Sequence, residues 1–196
     1  PTLTGTIYLV HEPVDQVKEA RSAWIYNAGA RRVKRAPDLA YDAINDGTEG
    51  VTTTDQFDAF NGAPDRYEWK LVGKKEIYVP YNSYKLSDKK LKYKEDIIRT
   101  FTPNADLMRY ELHRVWEIEA NLKPGSRHIY AKRVFYLDED SWTVLYEDAY
   151  DTRKQLWRVS IHPLMQFYDA KVPWFRANIW HDLNNGSYLL SNLDNE

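Results

Sequence analysis

Hydrophobic and polar positions alternate with period two along most of the chain, the spacing of strands that turn one face inward. Residues 6–11 and 23–27 are short, aromatic and β-branched. Residues 30–35 continue the run with a basic cluster, Arg31, Arg32, Lys34 and Arg35. Helical spacing interrupts the strands twice. Residues 37–46 and 54–61 read as helices, the second opened by Thr53 and Gln56 at capping-box spacing and closed by Gly62 as its C-cap glycine. A hairpin follows, with arms at 66–71 and 75–79 and a three-residue loop in which Gly73 supplies positive φ. That register sets Tyr67 opposite Val79, Trp69 opposite Ile77 and Lys70 opposite Glu76. Residues 82–106 are polar and Lys-rich and read as a long loop, a kind that is usually functional or mobile.

Residues 109–162 carry the strongest pattern. Turn sequences stand at 123–126 (Lys-Pro-Gly-Ser), 138–141 (Asp-Glu-Asp-Ser) and 151–154 (Asp-Thr-Arg-Lys). Pro then Gly in the central positions favours a type II turn. With a two-residue loop at each turn, Glu117 opposes Lys132, Lys132 opposes Glu147 and Glu147 opposes Arg158. This charge ladder across four strands fixes register, each pair contributing roughly 0.2–1 kcal/mol. Alternation then gathers Trp116, Ile118, Arg114, Arg133, Phe135, Trp142, Val144, Tyr146 and Trp157 on the other face. The expected architecture is mainly β, an antiparallel meander with one wet face and one broad apolar face that other elements must cover.

Composition narrows the classes. The 196 residues suit one domain with a real core. The net charge of −2 gives no global pull toward nucleic acid, and the basic cluster reads as a solvated edge. No apolar run reaches the roughly 18 residues of a membrane-spanning helix. Cys is absent, which excludes disulfides, thiolate metal sites and a cysteine nucleophile. Tyr (15) and Trp (7) outnumber Phe (6), an aromatic set suited to half-wet walls.

No hydrolase elbow, zinc-protease helix, P-loop or dinucleotide fingerprint occurs in the sequence. The five histidines are scattered one per segment, with His113, His128 and His162 on the expected wet face, so no metal site and no cofactor is expected. The acidic turn at 138–140 lacks the glycine and terminal glutamate of an EF-hand loop. Arg114 and Arg133 interrupt the apolar face with Asp148 on a neighbouring strand. One reading is a structural Arg–Asp pair. The other is a polar clamp for an anionic head group, with Trp116, Ile118, Phe135, Trp142, Val144, Tyr146 and Trp157 walling an apolar tail.

Three blocks carry a family resemblance: Arg109-Tyr110-Glu111-Leu112-His113-Arg114-Val115-Trp116, Lys123-Pro124-Gly125-Ser126-Arg127-His128-Ile129-Tyr130, and Arg133-Val134-Phe135-Tyr136-Leu137-Asp138-Glu139-Asp140-Ser141-Trp142. With Trp24-Ile25-Tyr26-Asn27, Arg31-Arg32-Val33 and Asp182-Leu183-Asn184-Asn185-Gly186-Ser187-Tyr188, they resemble the DUF1329 family, grouped with the LolA/LolB-like lipoprotein-sorting proteins. The resemblance implies a single LolA-like domain over 1–196: a curved antiparallel sheet, or open half-barrel, whose concave apolar face is closed by short helices. It implies a periplasmic or outer-membrane-associated place in a Gram-negative envelope. It also implies the C-terminal portion of a longer exported protein, in keeping with a chain that opens at Pro1 without a leader. The family supplies no site residues to carry over.

The function expected from these readings is non-enzymatic binding or carriage of a hydrophobic ligand, such as a lipid, an acyl chain or a lipoprotein. The alternative is an envelope interaction module that docks on a transport or outer-membrane complex through residues 82–106 and the basic edge.

Overall fold

Runs of β-branched and aromatic residues separated by Gly, Asn, Asp and Pro set the strand pattern. The computed structural model describes residues 4–36, 42–45 and 47–195, and these hold three antiparallel sheets. The first joins β1 (Ile7–His11), β2 (Ser22–Asn27) and β3 (Arg32–Arg35) in that order. The main sheet contains β4 (Tyr67–Pro80), β5 (Tyr110–Leu122), β6 (Lys132–Asp138), β7 (Val144–Tyr150), β8 (Leu156–Ile161), β11 (Asn178–Asp182) and β12 (Tyr188–Ser191). Its spatial order is β12-β11-β8-β7-β6-β5-β4, with no closure into a barrel. A hairpin of β9 (Leu164–Phe167) and β10 (Val172–Phe175) forms the third. The architecture is mainly β, an open half-barrel with short helical turns, as expected. No helix among the described residues is long and apolar enough to cross a membrane.

The expected hairpin at 66–79 is instead one continuous strand, β4, paired along its length with β5. Its register shifts between Leu71 and Gly73, where Val72 is the extra residue and Gly73 holds φ +145°. Glycine at positive φ serves a turn or a bulge equally well, and here it bulges the strand.

The three meander turns form at the expected places. Ser126 N–H bonds Lys123 O, Trp142 N–H bonds Asp138 O and Lys154 N–H bonds Asp151 O. Each connection is longer than two residues, however, so every register differs from the ladder. Glu117 opposes Tyr136, Asn121 opposes Lys132, Lys132 opposes Tyr150 and Glu147 opposes Ser160. Most of these shifts are even and leave the faces alone. The decisive one is odd. Leu137 pairs with Val144 but Tyr136 pairs with Tyr146, so Leu145 is inserted between them. Beyond that bulge Glu147 joins the face of Phe135 and Arg133, and Tyr146 leaves it. The ladder's two halves therefore lie on opposite faces: Lys132 pairs with Glu119 and Lys75 with Glu117 outside, while Glu147 and Arg158 are buried inside.

Neither face is simply wet. The inner face bears Ala120, Phe135 and Tyr67, with Phe60, Leu122, Leu137 and Val144 packed against them. The outer face has its own cluster, Val79, Val115 and Leu145, covered by Leu164 and Phe175 of the β9–β10 hairpin. The segment expected as a loop at 82–106 is folded by short helical turns at Tyr84–Ser87, Tyr93–Ile97 and Ala105–Leu107. Leu86 and Ile97 bury against Ala177, and the Asn195 amide donates to the carbonyls of Leu86 and Asp88, each at 2.9 Å. Of the two expected helices, that over 37–46 falls largely outside the described residues. The other shortens to one 3-10 turn, Thr54–Gln56, with the expected capping box. It stops at Phe57, which is extended, and the left-handed residues that follow are Asp58 and Ala59 rather than Gly62.

Gly73→Val is expected to cost about 1 kcal/mol or more, because a β-branched residue is forced to positive φ. Urea unfolding reads the loss. An unchanged midpoint would mean that β4 runs through without the bulge.

Candidate functional site

The inner face divides into a closed polar half and an open apolar half. The closed half is built on Arg133, which β6 points inward from the middle of the sheet and which has no solvent exposure. A buried guanidinium needs acceptors on every side. Its Nε donates to Glu147 Oε1 at 2.5 Å, Nη1 to Asp55 Oδ2 at 2.7 Å and Nη2 to the Ala59 carbonyl at 3.2 Å. Two of the three acceptors belong to the segment 47–66, which lies over the sheet as a lid. Phe60 of that lid packs on Phe135 and Trp69, with centroids 5.8 and 5.2 Å away.

Hydrogen bonds fix the rest. Tyr130 N–H donates to His128 Nδ1 at 3.0 Å, so the proton sits on Nε2 and points at Asp55 Oδ2, 3.1 Å away. The Tyr130 hydroxyl accepts from Arg158 Nη1 at 2.8 Å and donates to Gln56 Oε1 at 3.0 Å. Gln56 in turn donates to Glu147 Oε2 at 3.2 Å. Arg158 is a second anchor, donating to Asp182 Oδ2 at 3.3 Å and to the lid carbonyl of Gly50 at 2.5 Å. The Ser160 hydroxyl lies between Glu147 Oε2 (3.2 Å) and His162 Nε2 (3.0 Å), and His162 Nδ1 meets Asn178 Oδ1 at 2.7 Å. Ser160, His162 and Asn178 are spaced like a nucleophile relay, but all three are buried, so no substrate reaches them as they stand.

Charge states follow from this burial. Burial pushes the Asp55 carboxyl up, but the Arg133 charge and the His128 bond outweigh it and hold it at about 2. Burial presses His162 down to about 4, against a partial lift from its bond with Asn178. Desolvation opposes the Arg133 charge, yet Glu147 and Asp55 raise its pKa further, so it stays ionised.

The open half runs over β4 and β5. Leu71, Trp116, Ile118, Leu137 and Leu112 form an apolar shelf with the register of adjacent inward positions. Leu71 is 60% and Leu112 56% exposed. At its end, Arg114 pairs with Glu139 at 2.8 Å, and Lys74 also bonds Glu139 while lying over the Trp116 ring, 4.4 Å from its centroid. The Trp116 indole N–H is buried without a partner among the described residues.

A family model described as a protein of unknown function, DUF1329, matches residues 1–196. The chain belongs to the DUF1329 family. An uncharacterized Pseudomonas aeruginosa protein is 56% identical over 194 residues, which are 99% of this chain and 42% of that protein. Two solved structures share the fold. A Vibrio parahaemolyticus domain named for outer membrane lipoprotein sorting aligns over 97% of this chain and 64% of its own, with 17% identity and a TM-score of 0.62. A DUF1329 protein from Desulfovibrio piger aligns over 95% and 62%, with 15% identity and a TM-score of 0.61. The chain thus spans less than half of the curated relative and under two thirds of each of these two solved chains.

Within this DUF1329 chain, the expected wall residues do not all meet. Trp116, Ile118, Phe135 and Val144 share the inner face. Trp157 reaches it as well, in the bulge beside Ala149, where its N–H bonds Asp182 and its ring meets Arg158 and Tyr130. Tyr146 is turned outward by the Leu145 insertion and packs near Val79 and Val115. Trp142 sits in the 139–143 turn at φ +58°, 68% exposed. The two arginines are separated: Arg114 is exposed at the shelf, and Arg133 is sealed under the lid. Asp148, expected beside them, lies on the outer face, bonded by the Tyr136 hydroxyl at 3.0 Å. His128 and His162 are buried rather than wet.

The sequence pattern had no means of finding Asp55, Gln56, His128 and Tyr130, which come from irregular segments. The capping box at Thr53 was their one local trace. Among the described residues, His113, Asp138 and Asp140 place possible metal-ligand atoms within 4.8 Å of one another. Asp138 is hydrogen-bonded to His113 at 2.8 Å, Ser141 at 2.7 Å and Tyr81 at 3.3 Å, and Asp140 is exposed.

Arg133→Met is expected to destabilise by about 3–5 kcal/mol, because Asp55 and Glu147 are left buried without their cation. Chemical denaturation of the variant would show it, and a loss under 1 kcal/mol would mean that the lid yields to water. A second expectation concerns acid. The unfolded chain protonates His162 near pH 6.5 and the folded chain only near pH 4, so stability falls as pH drops through that window. Asp55 adds its own loss only below about pH 4, down to about 2. His162→Gln should flatten the pH 6.5-to-4 part of a plot of urea midpoint against pH. An unaltered slope would assign that window to another group.

Proposed function

We propose that this chain is part of a non-enzymatic envelope protein, periplasmic or outer-membrane-associated, that binds a hydrophobic ligand carrying an acyl chain, such as a lipid or a lipoprotein. Residues 1–196 act in it as one LolA-like unit. The observation that carries this reading is the uncovered apolar shelf on the inner face of a lipoprotein-sorting-type half-barrel, next to a closed polar floor. Exposed contiguous apolar surface of this kind marks binding sites.

The ligand's tail lies along Leu71, Trp116, Ile118 and Leu137 and abuts the Phe60–Trp69–Phe135 cluster at the lid. The polar clamp falls to Arg114 and Lys74, which are exposed and share Glu139. Arg133 serves the site from below, by holding the lid that ends the shelf, since its donors are already engaged.

Titration with a fluorescent long-chain fatty acid and with a triacylated lipopeptide tests the proposal. Saturable binding is expected, with Trp116→Ala and Leu71→Ser each weakening it about tenfold, in line with losing one well-packed apolar side chain. Tyr146→Phe, on the outer face, should leave affinity unchanged. Binding that ignores the two shelf variants while their folds remain intact would overturn the assignment.

A further inference from the structure

The basic cluster on β3 takes no part in the site above. Arg31, Arg32, Lys34 and Arg35 are all exposed, and none forms an ion pair with a described residue. Within the same segment Glu12 pairs with Arg21 at 2.6 Å and Asp15 with Lys18 at 3.0 Å. Residues 4–36 carry six Lys and Arg against three Asp and Glu, in a chain whose net charge is −2. Positive charge is therefore concentrated on the small sheet.

The same sheet exposes apolar side chains. Its register aligns Ile7 with Tyr26 and Val33, and Leu9 with Trp24 and Arg35. By alternation these two rows share a face with Arg35, while Arg32 and Lys34, opposite Asn27 and Ile25, leave the edge strand β3 on its other face. Ile7 is 60%, Leu9 52% and Val33 64% exposed, with half-buried Trp24 and Tyr26 between them. A soluble partner with a merely acidic surface would not need the aliphatic rows, and an apolar partner would not need four cations that pair with no described residue. A surface that is anionic outside and apolar a few ångströms deeper satisfies both. Trp and Tyr beside aliphatic residues, with Lys and Arg at the margin, is the arrangement that partitions into a lipid headgroup layer.

We infer that the β1–β3 sheet docks the protein on an anionic lipid surface, with Ile7, Leu9 and Val33 entering the headgroup layer, Arg35 of the same face and Arg31 of the adjoining turn meeting lipid phosphates, and Arg32 and Lys34 reaching phosphates around the edge strand β3. This surface is separate from the inner-face shelf, so either reading can fail without the other.

The test is co-sedimentation of the 196-residue chain with vesicles of phosphatidylethanolamine and phosphatidylglycerol, against vesicles of phosphatidylcholine alone. Binding should be confined to the anionic vesicles and fall steeply with added salt. Replacing Arg31, Arg32, Lys34 and Arg35 together by Ser should lower the partition coefficient by roughly a hundredfold, at a few-fold per cation. Because the chain has no cysteine, Val33→Cys and, as a control in the exposed loop after β7, Thr152→Cys can each carry one environment-sensitive dye. The dye at 33 should shift to the blue on anionic vesicles and the dye at 152 should not. Equal binding to both vesicle types, no loss in the Ser variant, or matching shifts at 33 and 152 would each overturn the proposal. So would failure to bind vesicles together with tight binding of duplex DNA, or with self-association abolished by Val33→Ser; these outcomes would give the sheet to nucleic acid or to a second copy.

Discussion

A guanidinium without solvent contact sets terms for everything around it. Arg133 stands in the middle of the sheet with no exposure, and a cation there survives only if each of its donors finds an acceptor. The sheet provides one, Glu147. The other two must be carried in from a distant part of the chain, so the 47–66 segment is held over β6 and β7 by electrostatic need as much as by apolar contact. That need explains local features that look costly by themselves. The 3-10 turn ends where Phe57 turns extended, and two residues on Ala59 adopts φ +71°, a conformation disfavoured by roughly 1–2 kcal/mol for a residue with a Cβ, with its carbonyl bonded by Arg133. Arg158 repeats the scheme further along, with Gly50 O from the lid and Asp182 from β11.

The result is an inner face with two characters. Where the lid is ion-paired, the face is closed and polar at its base. Where β4 and β5 extend beyond the lid, it is open and apolar. A half-barrel that packed aliphatic residues throughout would have to cover its whole concavity or aggregate through it. Here the polar floor fixes the lid's position sharply, because ion pairs with several simultaneous hydrogen bonds do not slide, and the shelf begins where those bonds stop. The outer face solves a different problem, with the β9–β10 hairpin covering Val79, Val115 and Leu145.

Much of this was legible in the sequence. Period-two alternation located β1, β2, β3 and the four-strand meander, and turn chemistry located the three bends. The motif blocks gave the family. What could not be read was phase. Gly73 signals positive φ, but the signal is the same for a turn and for a bulge inside a strand. A two-residue loop is the simplest choice at each bend, yet the residues 123–131 form a longer connection whose Tyr130 turns into the core. Phase errors of two or four residues kept Trp116, Ile118 and Phe135 on the right face. The odd error at Leu145 moved Tyr146 out and Glu147 in. The lid partners of Arg133 were invisible for another reason: Asp55 and Ala59 are far from it along the chain, in an irregular segment where no periodicity reports direction.

The insertion at Leu145 has a consequence for how such a sheet can change over time. Substitutions at this point alter one side chain, but a deletion of one residue would rotate the strand beyond it by half a period. Glu147 would then face outward, Arg133 would lose its partner in the sheet, and an aromatic ring would be driven into the polar floor. Length changes in this family should therefore gather in the connections, such as 123–131 and 139–143, or arise in compensating pairs. The interior of β7 acts as a reading frame, tolerant of altered letters and intolerant of altered spacing.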